Sequence, residues 1–326
     1  MVEKRLSKVI SAKMAFIIDE KTTKKLIDMP RALTLVEKVL RERAAGKVRR
    51  MPRNRLTGNG RSLNIMSGWH ANWDLFCMRF YTGKTSSISL HSGRSGQFLA
   101  LINASYLAPL RTGATSGVAA KYLAPAKPQA LGVIGTGLQA AFQVEAIVLS
   151  TPVQTVLVYG RNQKRRKRFI STMRRKVRVE FVEAASLENI EAQSDIIVLA
   201  TLSKAPILDG NFLKDDVLVI SIGANQVVKR EVSNNLIRRM DLIITDDGPT
   251  AQIDGGDLIA AHDAGIVDWE KVLPLDRVVV EHDPINRPRK ILFQSNGITD
   301  DALAVSHYVL NAVRRKRVKV TSLSAI

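Results

Sequence analysis

Between residues 131 and 246 the chain contains six short apolar runs, and these leave few folds open to it. Each run is rich in Val or Ile and is bounded by Gly or acidic residues. The runs are "LGVIG" (131–135), "TVLVYG" (155–160), "VEFVE" (179–183), "DIIVLAT" (195–201), "DVLVISIG" (216–223) and "DLIITD" (241–246). Short apolar runs of this kind are typical of strands buried on both faces of a parallel sheet. Polar, helix-length segments separate most of them, which predicts an α/β, Rossmann-type, doubly wound sheet.

The first run continues into a glycine-containing turn, "GVIGTGLQA" (132–140). Gly135 would make the tight turn, Gly137 would let the backbone approach a pyrophosphate, and Ala140 would permit close packing of the helix. Because the turn follows the first strand and opens a helix, it predicts dinucleotide binding. A tight turn that binds no phosphate is the alternative. The candidate cofactor-binding residues here are Gly135, Thr136, Gly137 and Leu138.

The segment after the second run, "VYGRNQKR" (158–165), indicates which dinucleotide is bound. NAD-specific sites normally place an acid at this point, where it binds the ribose 2′-hydroxyl. No Asp or Glu occurs from residue 146 to residue 179, so a misplaced strand boundary does not hide one. The segment Gly160, Arg161 and Asn162 instead suits a 2′-phosphate, because guanidinium groups bind phosphate through paired hydrogen bonds. We therefore predict NADP(H) as the preferred cofactor, with NAD(H) as the alternative.

The chain is strongly basic, with a formal net charge of +19. Ten Lys or Arg residues and no acid lie between residues 161 and 178. Such a charge favours an acidic partner, but basic runs are usually solvated surfaces. No zinc-finger spacing, helix-turn-helix pattern or aromatic RNA-binding motif accompanies them. The sequence therefore does not predict a nucleic-acid partner.

Four features concern location and metal binding. No apolar run is long enough to span a membrane, and the N-terminal residues lack the apolar segment of a secretory signal. The single Cys77 cannot form an internal disulfide, which fits a reducing compartment. We therefore expect a cytoplasmic protein with no membrane association. The five histidines are scattered, so no metal site is predicted.

The first 130 residues show a different pattern. Residues 21–47 are predicted to be helical, with an interruption at Pro30 and an end at Gly46. Short strands and turns are predicted to follow, and "PAKPQ" (125–129) is typical of a linker.

Together these motifs make the chain similar to the ornithine cyclodeaminase/mu-crystallin family of NAD(P)-dependent amino-acid and imine oxidoreductases. The resemblance covers about residues 21–313. It is carried by "DMPRAL", "MPRNRL", "LALINASYLAPLRTGATSGVAAKYLA", "GVIGTGLQA", "SIGAN", "KREV", "GGDLIAA" and "ILFQSNGITDDALAV". It implies an α+β substrate-binding and dimerisation domain built from residues 1–124 and 300–326, a Rossmann domain at 125–299, and a homodimer.

The resemblance also implies roles for individual residues. Arg53 and Arg111 match positions that bind the substrate carboxylate. Arg79 stands where many members have Lys, and Asn225 stands where cyclodeaminases have a catalytic Asp. We take Arg79 and Asn225 as candidate catalytic residues. Thr201 and Ser295 complete the predicted cofactor-binding set.

These two departures bear on the reaction. Arg79 keeps its charge but is a poor proton donor, and the Asn225 amide cannot take up a proton. Cyclodeamination needs repeated proton transfer, whereas reduction of a protonated imine needs mainly a hydride. We therefore expect an NADP(H)-dependent reductase of a small imino acid or ketimine, or an amino-acid dehydrogenase. An ornithine cyclodeaminase and a catalytically weakened NADPH-binding protein are the alternatives.

Two further polar residues are expected to be structural. Asp257 in "GGDLIAA" is expected to cap the helix that follows it. His70 in "SGWHANWD" is expected to be a core or surface residue rather than part of the site.

Overall fold

The computed structural model describes residues 14–83, 85–281, 283, 287–316 and 318–324. The chain forms two compact units. The first contains the residues up to Arg111 together with those from Ile298 onward, and the second is Thr112–Gly297.

The first part of the chain contains six strands and three helices. Its elements are β1 (Met14–Ile18), α1 (Glu20–Leu26), α2 (Met29–Ala44), β2 (Val48–Gly58), β3 (Arg61–His70), β4 (Leu75–Thr82), β5 (Thr85–Ser92), β6 (Phe98–Asn103) and α3 (Leu107–Leu123). The Asp28 carboxylate accepts a hydrogen bond from the Arg31 N–H and caps α2, and Pro30 lies in the first turn of this helix. Gly46 follows the helix with φ of +72°. The predicted end at Gly46 is thus confirmed, whereas the break lies at Ile27 and Asp28, just before Pro30.

In the second unit strands alternate with helices. Its elements are β7 (Ala130–Ile134), α4 (Leu138–Ser150), β8 (Thr155–Tyr159), α5 (Gln163–Met173), β9 (Glu180–Glu183), α6 (Leu187–Gln193), β10 (Ile196–Leu199), β11 (Val217–Ser221), α7 (Asn234–Arg238), β12 (Leu242–Thr245), α8 (Gly248–Asp254), α9 (Gly256–Asp263), β13 (Leu273–Pro274), α10 (Leu275–Glu281) and β14 (Lys290–Gln294). A 3₁₀ turn covers Trp269–Lys271. All six predicted strands are present.

These strands form one parallel sheet in the order β13-β12-β14-β11-β10-β7-β8-β9. Every residue of β10 and β11 is buried, as expected for strands covered on both faces. Burying each of their Val, Leu and Ile side chains stabilises the unit by roughly 1.5–3 kcal/mol. The chain order reverses beside β7, and ligands bind at the carboxyl edge of such sheets. The prediction of a Rossmann-type sheet is confirmed.

The last part of the chain returns to the first unit as α11 (Thr299–Lys316) and β15 (Thr321–Ser324). Seven described strands form its sheet, in the order β15-β1-β6-β5-β4-β3-β2. Its pairs are antiparallel except for β1 with β6. Helix α11 packs on β3, β4 and α2 and buries an apolar face that includes Leu303, Val305, Val309 and Leu310. The first unit is therefore α+β and includes the C-terminal helix.

Candidate functional site

The turn between β7 and α4 needs glycine at two positions for different reasons. Gly135 has φ of +118°, and a Cβ atom there would lie 2.5 Å from the Ala200 carbonyl oxygen. Gly137 is the N-cap of α4, and a Cβ atom there would meet nothing within 4 Å. The turn therefore leaves open space beside the first N–H groups of the helix, which suits a phosphate.

A cavity of about 630 Å³ lies over this turn in the second unit. Apolar side chains such as Ile134, Tyr159, Leu187 and Ile207 contribute to its wall. The structure brings seven of the predicted cofactor-binding residues together around it: Gly135, Thr136, Gly137, Gly160, Arg161, Asn162 and Thr201. Leu138 follows the turn and is 66% exposed. Ser295 is buried elsewhere in the unit, where its hydroxyl donates to the Asp246 Oδ2 atom at 2.8 Å.

The edge of the cavity after β8 is basic. Arg161 and Arg165 line it and are exposed. The Asn162 Oδ1 atom accepts a hydrogen bond from the Arg165 N–H at 3.0 Å, so Asn162 also caps α5. The guanidinium of Arg166 donates to the Gly160 carbonyl oxygen and to the Glu183 carboxylate. Two guanidinium groups thus stand where an NAD-specific site would place an acid.

Arg165 and Lys204 line the cavity but were not predicted from the sequence. Arg165 had a local signal, because it lies three residues after the N-cap of its helix. Lys204 had none, since the loop that carries it reaches the cavity only because β10 pairs with β7.

The three arginines of the predicted substrate site are all buried in the first unit. Arg53 lies where the pairing of β2 with β3 shifts register, and such an irregularity turns a side chain toward the opposite face. Arg79 shares the buried face of β4 with Leu75 and Cys77. Arg111 lies in α3.

The guanidinium group of Arg79 interacts electrostatically with those of Arg53 and Arg111. Its Nε atom donates to the Ser86 hydroxyl at 3.2 Å, and its guanidinium lies 4.2 Å from the centre of the Tyr81 ring. Burial, together with the charges of Arg111 and Arg53, lowers the pKa of Arg79 to about 9. The group therefore remains charged at neutral pH. Buried cations that repel one another favour an anionic ligand.

Two aspartates at the start of α11 belong to the same basic region. The Asp300 Oδ2 atom lies 3.4 Å from Arg43 Nη1 and 3.1 Å from Arg50 Nη1. Asp301 Oδ2 lies 3.8 Å from Arg111 Nη1. Acidic residues in the first turn also suit the helix dipole. Sequence reasoning gave these aspartates no role, although acids at a helix start are a recognisable signal.

Asn225 lies in the loop that follows β11. Its Oδ1 atom accepts a hydrogen bond from the Lys229 ammonium at 3.3 Å. Gly256 lies against this loop, and a Cβ atom there would be 2.0 Å from the Lys229 carbonyl oxygen. The close approach of α9 thus supports the segment that carries Asn225.

Asp257 and His70 have structural partners. The N-cap of α9 is Gly255, so the interpretation of Asp257 as a helix cap is wrong. Its Oδ1 atom instead accepts hydrogen bonds from the Glu231 and Val232 N–H groups. His70 is fully buried, donates to the Glu42 carboxylate at 2.9 Å and stacks on Trp73.

The described residues contain neither a membrane-spanning helix nor a cluster of possible metal ligands. Helices in the described ranges are all too short or too polar to cross a membrane. Within the same ranges, no three His, Cys, Asp or Glu side chains are grouped so that they could hold a metal ion.

Comparison with known proteins agrees with this architecture. The alanine dehydrogenase of Archaeoglobus fulgidus is 27% identical over 316 residues, which is 93% of this chain and 96% of that protein. The iminosuccinate reductase of Paracoccus denitrificans is 28% identical over 234 residues, or 72% of each chain. A solved archaeal alanine dehydrogenase, a dimer with bound NAD, superposes with a TM-score of 0.88 at 25% identity, covering 95% of this chain and 99% of that one.

The family model itself matches nearly the whole chain, from residue 15 to residue 317. The match includes the glycine turn, the arginines of the first unit and the returning helix. The chain therefore belongs to the ornithine cyclodeaminase/mu-crystallin family.

Proposed function

We propose that the protein is an NADP(H)-dependent oxidoreductase that reduces a small imino acid or ketimine, or oxidises the corresponding amino acid. The observation that carries the proposal is the cavity over the turn of β7, with the open face of Gly137 on one side and Arg161 and Arg165 on another. This arrangement suits a dinucleotide that bears an extra phosphate.

The residues of the second unit fit such a cofactor. The first N–H groups of α4 and the space beside Gly137 suit the pyrophosphate. The apolar wall that includes Leu187 and Ile207 suits the adenine ring. The archaeal alanine dehydrogenase of the same fold holds NAD, which supports a nicotinamide dinucleotide here.

The preference for the phosphorylated cofactor rests on charge. Arg161 and Arg165 would donate to a 2′-phosphate, and Lys204 adds a third cation to the cavity wall. An NAD-specific site would need a carboxylate to accept from the ribose hydroxyl. The segment after β8 has none before Glu180.

We assign the substrate carboxylate to Arg53, Arg79 and Arg111. Small imino acids offer little apolar surface, so charged hydrogen bonds must orient them. Similarity to an iminosuccinate reductase and an alanine dehydrogenase supports interconversion of an imine and an amine.

The bound nicotinamide would supply or accept the hydride. The role proposed for Asn225, the candidate catalytic residue of the second unit, is a hydrogen bond to a nitrogen or to a water. Because the Asn225 amide cannot take up a proton, the set suits reduction of an imine better than cyclodeamination.

We also propose a homodimer. The outward face of the first sheet exposes Met51, Phe76 and Met78, which suits burial against a second copy. The archaeal alanine dehydrogenase with the same fold is a dimer.

The deciding experiment has two stages. Titration calorimetry with NADPH and NADH tests the cofactor, and tighter binding of NADPH is expected. NADPH absorbance is then followed with cyclic ketimines, and with pyruvate or glyoxylate plus ammonia or methylamine. Binding of neither dinucleotide would overturn the proposal. Binding without turnover of any imine would favour the weakened, cofactor-binding alternative.

A further inference from the structure

Three fully buried polar side chains in the second unit meet at one hydroxyl group. Ser221 Oγ lies 2.9 Å from Glu231 Oε2 and 2.9 Å from Asp257 Oδ2. A serine hydroxyl has a single hydrogen and can donate to only one of the two oxygens. It must accept from the other, and only a protonated carboxyl group can donate. The two carboxyl groups therefore hold one proton between them.

The remaining hydrogen bonds show which carboxyl is ionised. The two oxygens of Glu231 accept from the Thr201 N–H and hydroxyl, both at 2.7 Å, from the Gly223 N–H at 2.7 Å, and from Ser221. The Glu231 oxygen that faces Ser221, Oε2, also accepts from the Gly223 N–H. If Oε2 carried the proton, that N–H would have to donate to a hydroxyl oxygen, which is a poorer acceptor than a carboxylate oxygen. This geometry favours Glu231 as the charged member of the pair.

Asp257 has an uneven set of partners. Its Oδ1 atom accepts from the Glu231 N–H at 2.9 Å, the Val232 N–H at 3.2 Å and Arg230 Nε at 3.2 Å. Among the described residues, the hydrogen bond recorded for Oδ2 is that with Ser221. The proton therefore belongs on Asp257 Oδ2, from which it is donated to Ser221. Burial raises the pKa of both carboxyl groups. At Asp257 the effect of burial exceeds the opposing effects of its hydrogen bonds and of the Arg230 charge.

The Glu231 carboxylate joins two loops at the carboxyl edge of the sheet. Thr201 follows β10 and lines the cavity, while Gly223 follows β11 and leads to Asn225. A Cβ atom on Gly223 would lie 2.4 Å from both Glu231 Oε1 and the Thr201 carbonyl oxygen. The fit is tight enough that a change at Glu231 must move one of the loops.

We propose that Glu231 is a positioning residue of the dinucleotide site, and that it is ionised because Asp257 carries the proton of the pair and donates it through Ser221. This inference rests on the proposed function for the ligand of the cavity. The proton itself is independent of that function and can be detected without any ligand.

A pair of amide substitutions separates the two carboxyl groups. In Asp257→Asn, the new NH₂ group can donate to Ser221 while Oδ1 keeps its three donors. In Glu231→Gln, the new NH₂ group replaces one of the two acceptor oxygens. It must face either Thr201 or the Gly223 N–H, which are themselves donors, so at least one hydrogen bond is lost. Since a hydrogen bond to a charged group contributes about 1.5–3 kcal/mol, we expect Glu231→Gln to weaken NADPH binding about tenfold to hundredfold. Asp257→Asn should stay within about threefold of the unchanged protein.

Two further readouts exclude a merely structural effect. Circular dichroism at the assay temperature confirms that each variant is folded. The pH profile of NADPH affinity should fall on the alkaline side in the unchanged protein, as Asp257 loses its proton, and this fall should be absent from Asp257→Asn. The inference would be overturned if both variants lost NADPH affinity equally, or if Asp257→Asn lost more of it than Glu231→Gln.

Infrared spectroscopy of the ligand-free protein tests the proton directly. At neutral pH a buried protonated carboxyl group gives a C=O band above the amide region. We expect Asp257→Asn to remove this band and Glu231→Gln to keep it. Asp195→Asn is the control, since that carboxylate is ion-paired with Lys214 at 2.7 Å in the same unit. Absence of the band from the unchanged protein refutes the shared proton even where the dinucleotide binds. Failure of both dinucleotides to bind, with the band present, refutes the proposed function and the positioning role but not the proton.

Discussion

Arg111 Nη1 lies 3.8 Å from Asp301 Oδ2, and both side chains are buried in the first unit. The aspartate keeps one buried cation in place, while the charges of Arg111 and Arg53 act on Arg79. A substrate carboxylate would add a second anion to this cluster.

Arg111→Lys tests the substrate role of this cluster. Lysine keeps the charge beside Asp301 but cannot form paired hydrogen bonds to a carboxylate. We expect kcat/KM for the imino acid to fall about 100-fold, since two hydrogen bonds to a charged group are weakened. The Kd for NADPH, measured by fluorescence, should not change. A parallel loss of cofactor binding would contradict the assignment.

Arg161→Ala tests the cofactor preference. Removal of one guanidinium from an exposed phosphate site should weaken NADPH binding about tenfold and leave NADH binding nearly unchanged. Calorimetric titration with both cofactors measures the ratio. Arg168→Ala is the matched control, because Arg168 is exposed on α5, the helix that follows Arg161, but is not part of the cavity wall. Equal weakening of both cofactors by Arg161→Ala would contradict the role of the 2′-phosphate.

The two glycines of the β7 turn should respond differently to substitution. Gly137→Val places a side chain in open space at an ordinary φ of −87°, so it should block the dinucleotide at little cost in stability. Gly135→Ala meets the Ala200 carbonyl at a positive φ and should lower the free energy of unfolding by about 2 kcal/mol or more. Thermal unfolding and NADPH titration separate the two effects. Full cofactor affinity in Gly137→Val would place the phosphates elsewhere.

The outward face of β4 offers a test of the proposed dimer. Phe76 is 47% exposed and Met78 is 39% exposed, and they alternate with the buried Leu75 and Cys77. Light scattering should give twice the 36.0 kDa mass of the chain, and Phe76→Glu with Met78→Lys should give the single mass, because charges are costly to bury. An unchanged dimer in the double variant would exclude this face as the interface.

His307 predicts a stability change in mild acid. Burial, the neighbouring His70 and nearby cations lower the pKa of His307 to about 4, and its Nε2 atom lies 2.8 Å from the Asn311 amide nitrogen. The unfolded chain takes up a proton near pH 6.5, before the folded chain does, so the free energy of unfolding should fall as the pH drops from about 6.5 to about 4. We expect this residue to contribute a loss on the order of 2 kcal/mol. Urea unfolding of the native chain and of His307→Gln measures it, and identical pH dependence in both would contradict the prediction.

Local patterns predicted the parts of the fold that depend on neighbouring residues. The six apolar runs became the six strands because short Val- and Ile-rich runs suit buried strands. One central strand, β14 (Lys290–Gln294), was not predicted. It lies between β11 and β12 in the sheet, although it comes after both in the chain. Its place could not be predicted because the order of strands in a sheet depends on the packing of the whole unit.

Sequence alone determined the βαβ alternation, the glycine turn and the lack of an acid after β8, since each is set by residues within one turn or strand. Only the tertiary structure decided which charges meet: Asp301 beside Arg111, the burial of Arg79, and the Glu231–Ser221–Asp257 cluster. Each of them depends on residues from different strands, helices or loops of the fold. Whether a buried charge is paired, shared or left to bind a ligand depends on packing that no local pattern encodes.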